Sequence, residues 1–184
     1  MALVETPICN FGEKAKNFNL LSTSNKKMSL SDIKGNNGTL IMFICNHCPY
    51  VKAVIKDIVD DVKYLENLGI KSTAIMSNDV KNYPDDSFDN MIAFSKAHNF
   101  SFPYLIDETQ KVAKEYGAVC TPDFFGYDKD LGLQYRGRIR ELKNLKPVRG
   151  GSSDLKNAME SIAKIGKGPT KQIPSMGCSI KWFK

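Results

Sequence analysis

Cys45 and Cys48 form a C-x-x-C pair, with Asn46 and His47 between them and Pro49 directly after. Five cysteines, an odd number with one close pair, do not resemble a secreted disulfide framework, so the pair points to redox catalysis or metal binding. Proline suits the first helical position, and Pro49 placed there makes Cys48 the N-cap of a helix. Exposed N–H groups and the positive end of the helix dipole stabilise an anion at that point, and on a cysteine the anion is the reactive thiolate. If Cys45 were the N-cap, Pro49 would sit inside the helix and remove a hydrogen bond. His47 has two readings: a ring that lowers the neighbouring thiol pKa or takes up its proton, and an exposed polar turn residue. Asn46 suits the turn, since asparagine tolerates left-handed backbone, and it shapes the loop as a candidate substrate-contacting residue.

The elements around the pair must position it. Leu40 to Ile44 is a short apolar run, expected as a strand buried on both faces. After Pro49, Val51, Val54, Ile55, Ile58, Val62 and Leu65 recur at helical spacing, predicting a long helix that ends near Gly69. A small hairpin over Phe18–Leu21 and Lys27–Leu30 and one helical turn over Ser31–Lys34 precede this core. Ile70–Ser77 is a second strand, followed by a polar loop over 78–86 and a helix over about 87–98. Tyr104–Ile106 is a brief strand, and Val112, Ala113 and Tyr116 mark a short helix. Pro122–Tyr127 and Leu133–Arg138 are strands about a turn, and Ser152 or Ser153 caps a last helix. Residues 167–184 form a tail without a helical stripe, where Met176, Ile180 and Trp182 are expected to pin the chain end and Cys178 to be structural. Alternating strands and helices with a closing strand pair give an α/β architecture with a mixed central sheet, helices on both faces and an N-terminal β-hairpin extension, in one domain over 1–184.

The composition is that of an ordinary globular protein, 42% hydrophobic with a single tryptophan. No apolar run approaches the ~18 residues of a membrane span, and the first residues carry no signal-peptide core, so a cytoplasmic location without a membrane partner is expected. A net charge of +6 suggests nucleic acid at first sight, but the lysines alternate with acids along the helices as on a solvated surface, and no nucleic-acid partner is expected. Basic residues concentrate only at Arg136, Arg138, Arg140, Lys143, Lys146 and Arg149. On one strand the first three would share a face, and the expected role is a basic strand edge.

FICNHCPYV, CTPDFF and GCSIKW in one chain, with the AKNFNL lead-in, NDVKNYPDDSFDNM and FPYLIDETQ, resemble a thioredoxin-fold, peroxiredoxin-like protein of the alkyl hydroperoxide reductase and thiol-specific antioxidant grouping. The resemblance spans nearly the whole chain. It implies that Cys48, five residues beyond Phe43, is the nucleophile and Cys45 its resolving thiol, the reverse of the usual thioredoxin order. It also implies a cis peptide at Thr121-Pro122, which leaves backbone at Thr121 to pair with an extended substrate. Cys120, two residues earlier, is expected as a small buried hydrophobe. The chain departs from both parents: Met42 stands where thioredoxins bury an acid, Val51 where they place a second cysteine, and Cys45 and the Cys120–Pro122 segment where peroxiredoxins use a hydroxyl and an arginine. Three functions follow. The first is thiol–disulfide exchange with a protein or small-molecule disulfide, recycled by a thioredoxin or glutathione system. The second is a thiol peroxidase acting on a peroxide. The third is a metal-binding module on Cys45 and Cys48 with Cys120, Cys178 or His47 as further ligands, disfavoured by the absence of a second C-x-x-C and of a well-spaced histidine pair. No resident cofactor or metal is expected.

Overall fold

The computed structural model describes residues 3–184. In chain order it contains β1 (Leu3–Glu5), β2 (Asn19–Ser22), β3 (Lys27–Ser29), α1 (Leu30–Ile33), β4 (Gly38–Phe43), α2 (Pro49–Glu66) and β5 (Ile70–Met76). A single 3-10 turn at Pro84–Asp86 precedes α3 (Phe88–Ala97), β6 (Tyr104–Ile106), α4 (Lys111–Glu115), β7 (Cys120–Thr121), β8 (Asp123–Tyr127) and β9 (Leu133–Arg136). A two-stranded ribbon, β10 (Leu142–Lys143) and β11 (Lys146–Pro147), leads to α5 (Asp154–Ile165) and β12 (Met176–Ser179).

Seven strands make one mixed sheet in the order β3-β2-β6-β5-β4-β8-β9. The central β6, β5 and β4 are parallel, while β2 and β8 join them antiparallel. β4 is buried at every position, which explains why it reads as a continuous apolar run rather than an alternating one. Leu40, Met42 and Ile44 pack with Val51, Ile58 and Leu65 of α2 and Met159 and Ile162 of α5. Ile41 and Phe43 belong to the opposite layer with Ile33 of α1 and Val112 and Ala113 of α4. Helices therefore cover both faces, and each fully buried side chain of this kind contributes about 1.5–3 kcal/mol. α2 buries the expected stripe and stops at Glu66, before Gly69 turns the chain with φ +76°.

Two expectations change. The strand from Leu133 ends at Arg136 rather than Arg138, because Arg138 donates its N–H to the Ile173 carbonyl at 2.8 Å instead of continuing along β8. The tail, in turn, is not featureless: β12 pairs antiparallel with β1 on one side and β7 on the other. It is held by backbone pairing and by buried Cys178 and Ile180, whereas Met176 and Trp182, expected as anchors, stay largely exposed. Among the described residues, no helix is long and apolar enough to cross a membrane.

Candidate active site

β4 delivers the chain to a tight loop, Ile44 to His47, and α2 starts with Pro49 as its first residue and Cys48 as its N-cap. Both Cys45 and Cys48 are free thiols and both are buried, Cys48 completely. The Cys48 pKa is depressed to about 5, chiefly because the Cys45 thiol donates a hydrogen bond to it. Burial works against this, and donation from Cys178, from the Val51 N–H in the first turn of α2 and from Thr121 adds to the effect of Cys45. Cys45 is pushed the other way, well above the ordinary thiol range, because its proton is held by Cys48, with burial and the Asp86 charge adding to the effect. The Thr121 hydroxyl lies 3.3 Å from Cys45 Sγ, and the neutral Cys48 thiol can donate to the Thr121 carbonyl at 3.2 Å. One thiol is thus set up as the anion and the other as the proton holder.

His47 is not a free turn residue. Its Nδ1 lies 2.7 Å from Oδ2 of Asp86, a fully buried acid at the end of the 3-10 turn, and its ring stacks on Tyr83. The bond to Asp86 raises the His47 pKa against the pull of burial, which favours an imidazolium beside Cys48. Burial pushes Asp86 up, but His47 and Asn78, whose amide donates at 2.8 Å, bring it below the usual carboxylate value. Asp86 also accepts the N–H groups of Asn46 (2.8 Å) and His47 (3.3 Å), so one carboxylate pins the loop between the two cysteines. Asn46 is buried, its amide donating to the Asp85 carbonyl and its oxygen accepting from the Tyr104 hydroxyl. Those bonds make its side chain a brace of the loop.

The Thr121–Pro122 peptide is cis and faces the cysteines, but the backbone edge expected to be open at Thr121 is occupied. Cys178 of β12 pairs with Thr121 and Ser179 with Cys120. The approach is so close that a Cβ on Gly177 would stand 2.0 Å from the Thr121 carbonyl oxygen. Cys178, expected to be structural, stands opposite Thr121, whose carbonyl lies 3.2 Å from Cys48 Sγ, and burial followed by the neighbouring Cys48 pushes its pKa up to about 12. Cys120 is fully buried and its pKa is raised by that burial, in keeping with a small apolar residue. Sequence reasoning missed Asp86, Asn78, Tyr104 and the Cys178 contact. Only the Pro-Asp-Asp turn hinted at Asp86, and nothing local marked the others.

The arginines nearest in sequence to the Cys120–Pro122 segment are engaged in ion pairs. Arg136 forms a buried pair with Asp123 (2.9 Å) and lies over the Phe125 ring. Arg138 pairs with Asp154 at 2.7 Å, while Arg140 and Arg149 converge on Asp57 at 3.2 and 2.6 Å. The four arginines are therefore held in ion pairs within the chain, buried at Arg136 and partly exposed at Arg138 and Arg149, rather than laid out on one strand face. Ligand atoms of Cys45, His47 and Asp86 lie within 4.8 Å of one another and are the metal-capable cluster among the described residues. The direct His47–Asp86 hydrogen bond already uses two of those three groups.

The chain is 39% identical to an uncharacterized conserved protein from Geobacillus kaustophilus, over 100% of this chain and 97% of that one, with a TM-score of 0.94. A hypothetical protein from Sinorhizobium meliloti is 35% identical over 97% of each chain, with a TM-score of 0.88. The thioredoxin domain of a thiol-disulfide oxidoreductase from Bacteroides vulgatus, 15% identical over 84% of this chain and 98% of that one, superposes with a TM-score of 0.65, and the fold is the thioredoxin fold. No curated protein matches the chain. The family model described as AhpC/TSA matches residues 11–140, from before the β2–β3 hairpin to the arginine segment, and the chain belongs to the AhpC/TSA family of thiol-dependent oxidoreductases and peroxidases.

Proposed function

We propose that the protein is a thiol–disulfide oxidoreductase in which Cys48 is the nucleophile and Cys45 the resolving thiol. The observation that carries this reading is the place of Cys48 as the N-cap of α2, three residues after the buried Cys45, where the Cys45 and Cys178 thiols, the Val51 N–H and Thr121 favour its anion. The thiolate attacks one sulfur of a substrate disulfide, forming a bond to Cys48 while the second substrate sulfur leaves as a thiolate and takes a proton. Cys45 then loses its proton and attacks Cys48 Sγ, which releases the first substrate sulfur and leaves a Cys45–Cys48 disulfide. In a cytoplasmic setting one dithiol of the thioredoxin type, or two glutathione molecules, reduces the Cys45–Cys48 disulfide back to two thiols and is itself oxidised to a disulfide. Since Cys48 is fully covered, the segments over it must part before a substrate can reach it.

Fast peroxide reduction needs donors aimed at the departing oxygen as well as a thiolate. The Thr121 hydroxyl is one such donor, but the arginines of this region are tied to Asp123, Asp154 and Asp57. This supports exchange over peroxidase activity. Mixing reduced protein separately with hydrogen peroxide and with a protein disulfide in a stopped-flow instrument tests it. Exchange is expected to dominate, with peroxide reacting at the pace of an ordinary acidic thiol; oxidation by peroxide at peroxiredoxin-like speed would reject the reading.

A further inference from the structure

We propose that Cys178 is a third redox thiol of the site, forming a Cys48–Cys178 disulfide that is the internal counterpart of the mixed disulfide with a substrate. The proposal rests on Cys48 being the exchange nucleophile, and it adds a second route by which its mixed disulfide is resolved. Cys178 comes to the site from a different element than Cys45 does: one thiol lies in the loop before α2, the other on β12, paired with the Thr121 whose carbonyl lies 3.2 Å from Cys48 Sγ.

The placement is built rather than incidental. Cys178 stands opposite Thr121, the residue whose carbonyl lies 3.2 Å from Cys48 Sγ. Gly177 permits that register, because any side chain there would collide with the Thr121 carbonyl. The strand is fastened on both flanks. Ser175 bonds to Thr6 and to the Pro122 carbonyl at 2.8 Å, while the Ile180 N–H bonds to the Val119 carbonyl and the Lys181 N–H to Asn78. A strand pairing with Thr121 is how an extended substrate would dock, so β12 holds a cysteine of this chain where a substrate's cysteine would lie.

The chemistry balances without an added oxidant. With a substrate sulfur bonded to Cys48, Cys178 gives up its proton and its sulfur bonds to Cys48 Sγ. The bond to the substrate sulfur breaks, and that sulfur leaves as a thiolate and takes the proton. Two electrons reduce the substrate disulfide to two thiols, and Cys48 with Cys178 supplies them as one new disulfide. Cys45 can later displace Cys178 from Cys48 by the same exchange.

Oxidised glutathione and three variants test this, with products read by mass spectrometry after acid quench. The Cys45→Ser chain is expected to gain glutathione on Cys48 transiently and pass to a Cys48–Cys178 disulfide, releasing two glutathione molecules per chain. A chain with both Cys45→Ser and Cys178→Ser should stop at the Cys48–glutathione adduct, and Cys45→Ser with Cys178→Ala guards against an effect of the serine hydroxyl. A Cys45→Ser chain that holds its glutathione adduct with Cys178 free overturns the proposal while leaving Cys48 as nucleophile. No adduct on Cys48 in any variant overturns the exchange reading, and this proposal with it.

Discussion

The head of α2 and the arginine segment beyond β9 look alike in the sequence, each a dense run of groups capable of chemistry. In the structure they are opposites. Around Cys48, the Cys45 and Cys178 thiols, the Val51 N–H and Thr121 favour the anion of one sulfur, and the site is poised to react. Around Arg136, Arg138, Arg140 and Arg149 every guanidinium is already paired, with Asp123, Asp154 and an Asp57 that two of them share, and the segment is poised to stay in place. Function follows from which groups remain uncommitted after folding, and a count of charges along the chain does not disclose that.

The largest effect should come from Cys48→Ser, which is expected to abolish turnover with a protein disulfide while leaving the thermal unfolding profile close to that of the parent. Arg136→Met should give the reverse. It strands Asp123, fully buried and already pushed up to about 6 by that burial, without its partner, so stability should fall by about 3–5 kcal/mol. The same variant should keep the Cys48 titration and exchange rate of the parent at a temperature where both are folded. A loss of exchange without a loss of stability would blur the distinction between the two regions.

Smaller effects sharpen the description of the sulfur site. Cys45→Ala removes a donor altogether and should move the Cys48 pKa upward more than Cys178→Ala does, in keeping with the order of the two contributions. Both shifts are measurable from the pH dependence of alkylation. Asp86→Asn should act mostly on His47, whose raised pKa should fall toward the ordinary histidine value in an NMR titration. The sign of the stability change also follows. The Asp86 contribution is lost as pH falls below the carboxylate range, and the His47 contribution is lost as pH rises through its raised value. Urea denaturation should therefore show the largest deficit for this variant between those limits.

The local parts of this arrangement were legible in the sequence. The apolar run of β4, the helical stripe of α2 and the Cys48-Pro49 step are short-range signals, and each fixes its own element. The resemblance supplied the cis peptide at Thr121-Pro122, which no local property would have required. Asp86 was hidden because it lies about forty residues beyond the loop it pins, in a polar turn like many others. Cys178 was hidden because β12 is a four-residue strand rich in small residues, whose pairing with β1 and β7 comes from opposite ends of the chain. The arginines misled for a related reason: their alternation fits a strand face, yet the strand stops at Arg136 and the carboxylates that claim them lie on other elements.

The claim that Cys48 is held as an anion is tested most directly by its own titration. Thiolate absorbance near 240 nm, followed from acid to alkaline pH in the reduced protein and in Cys48→Ser, gives the contribution of that one sulfur as a difference curve. The account predicts a midpoint at about pH 5, with the remaining thiols titrating far higher. A difference curve with its midpoint near the ordinary thiol value of 9.0, or an acidic step that survives in Cys48→Ser and vanishes in Cys45→Ser, would contradict it.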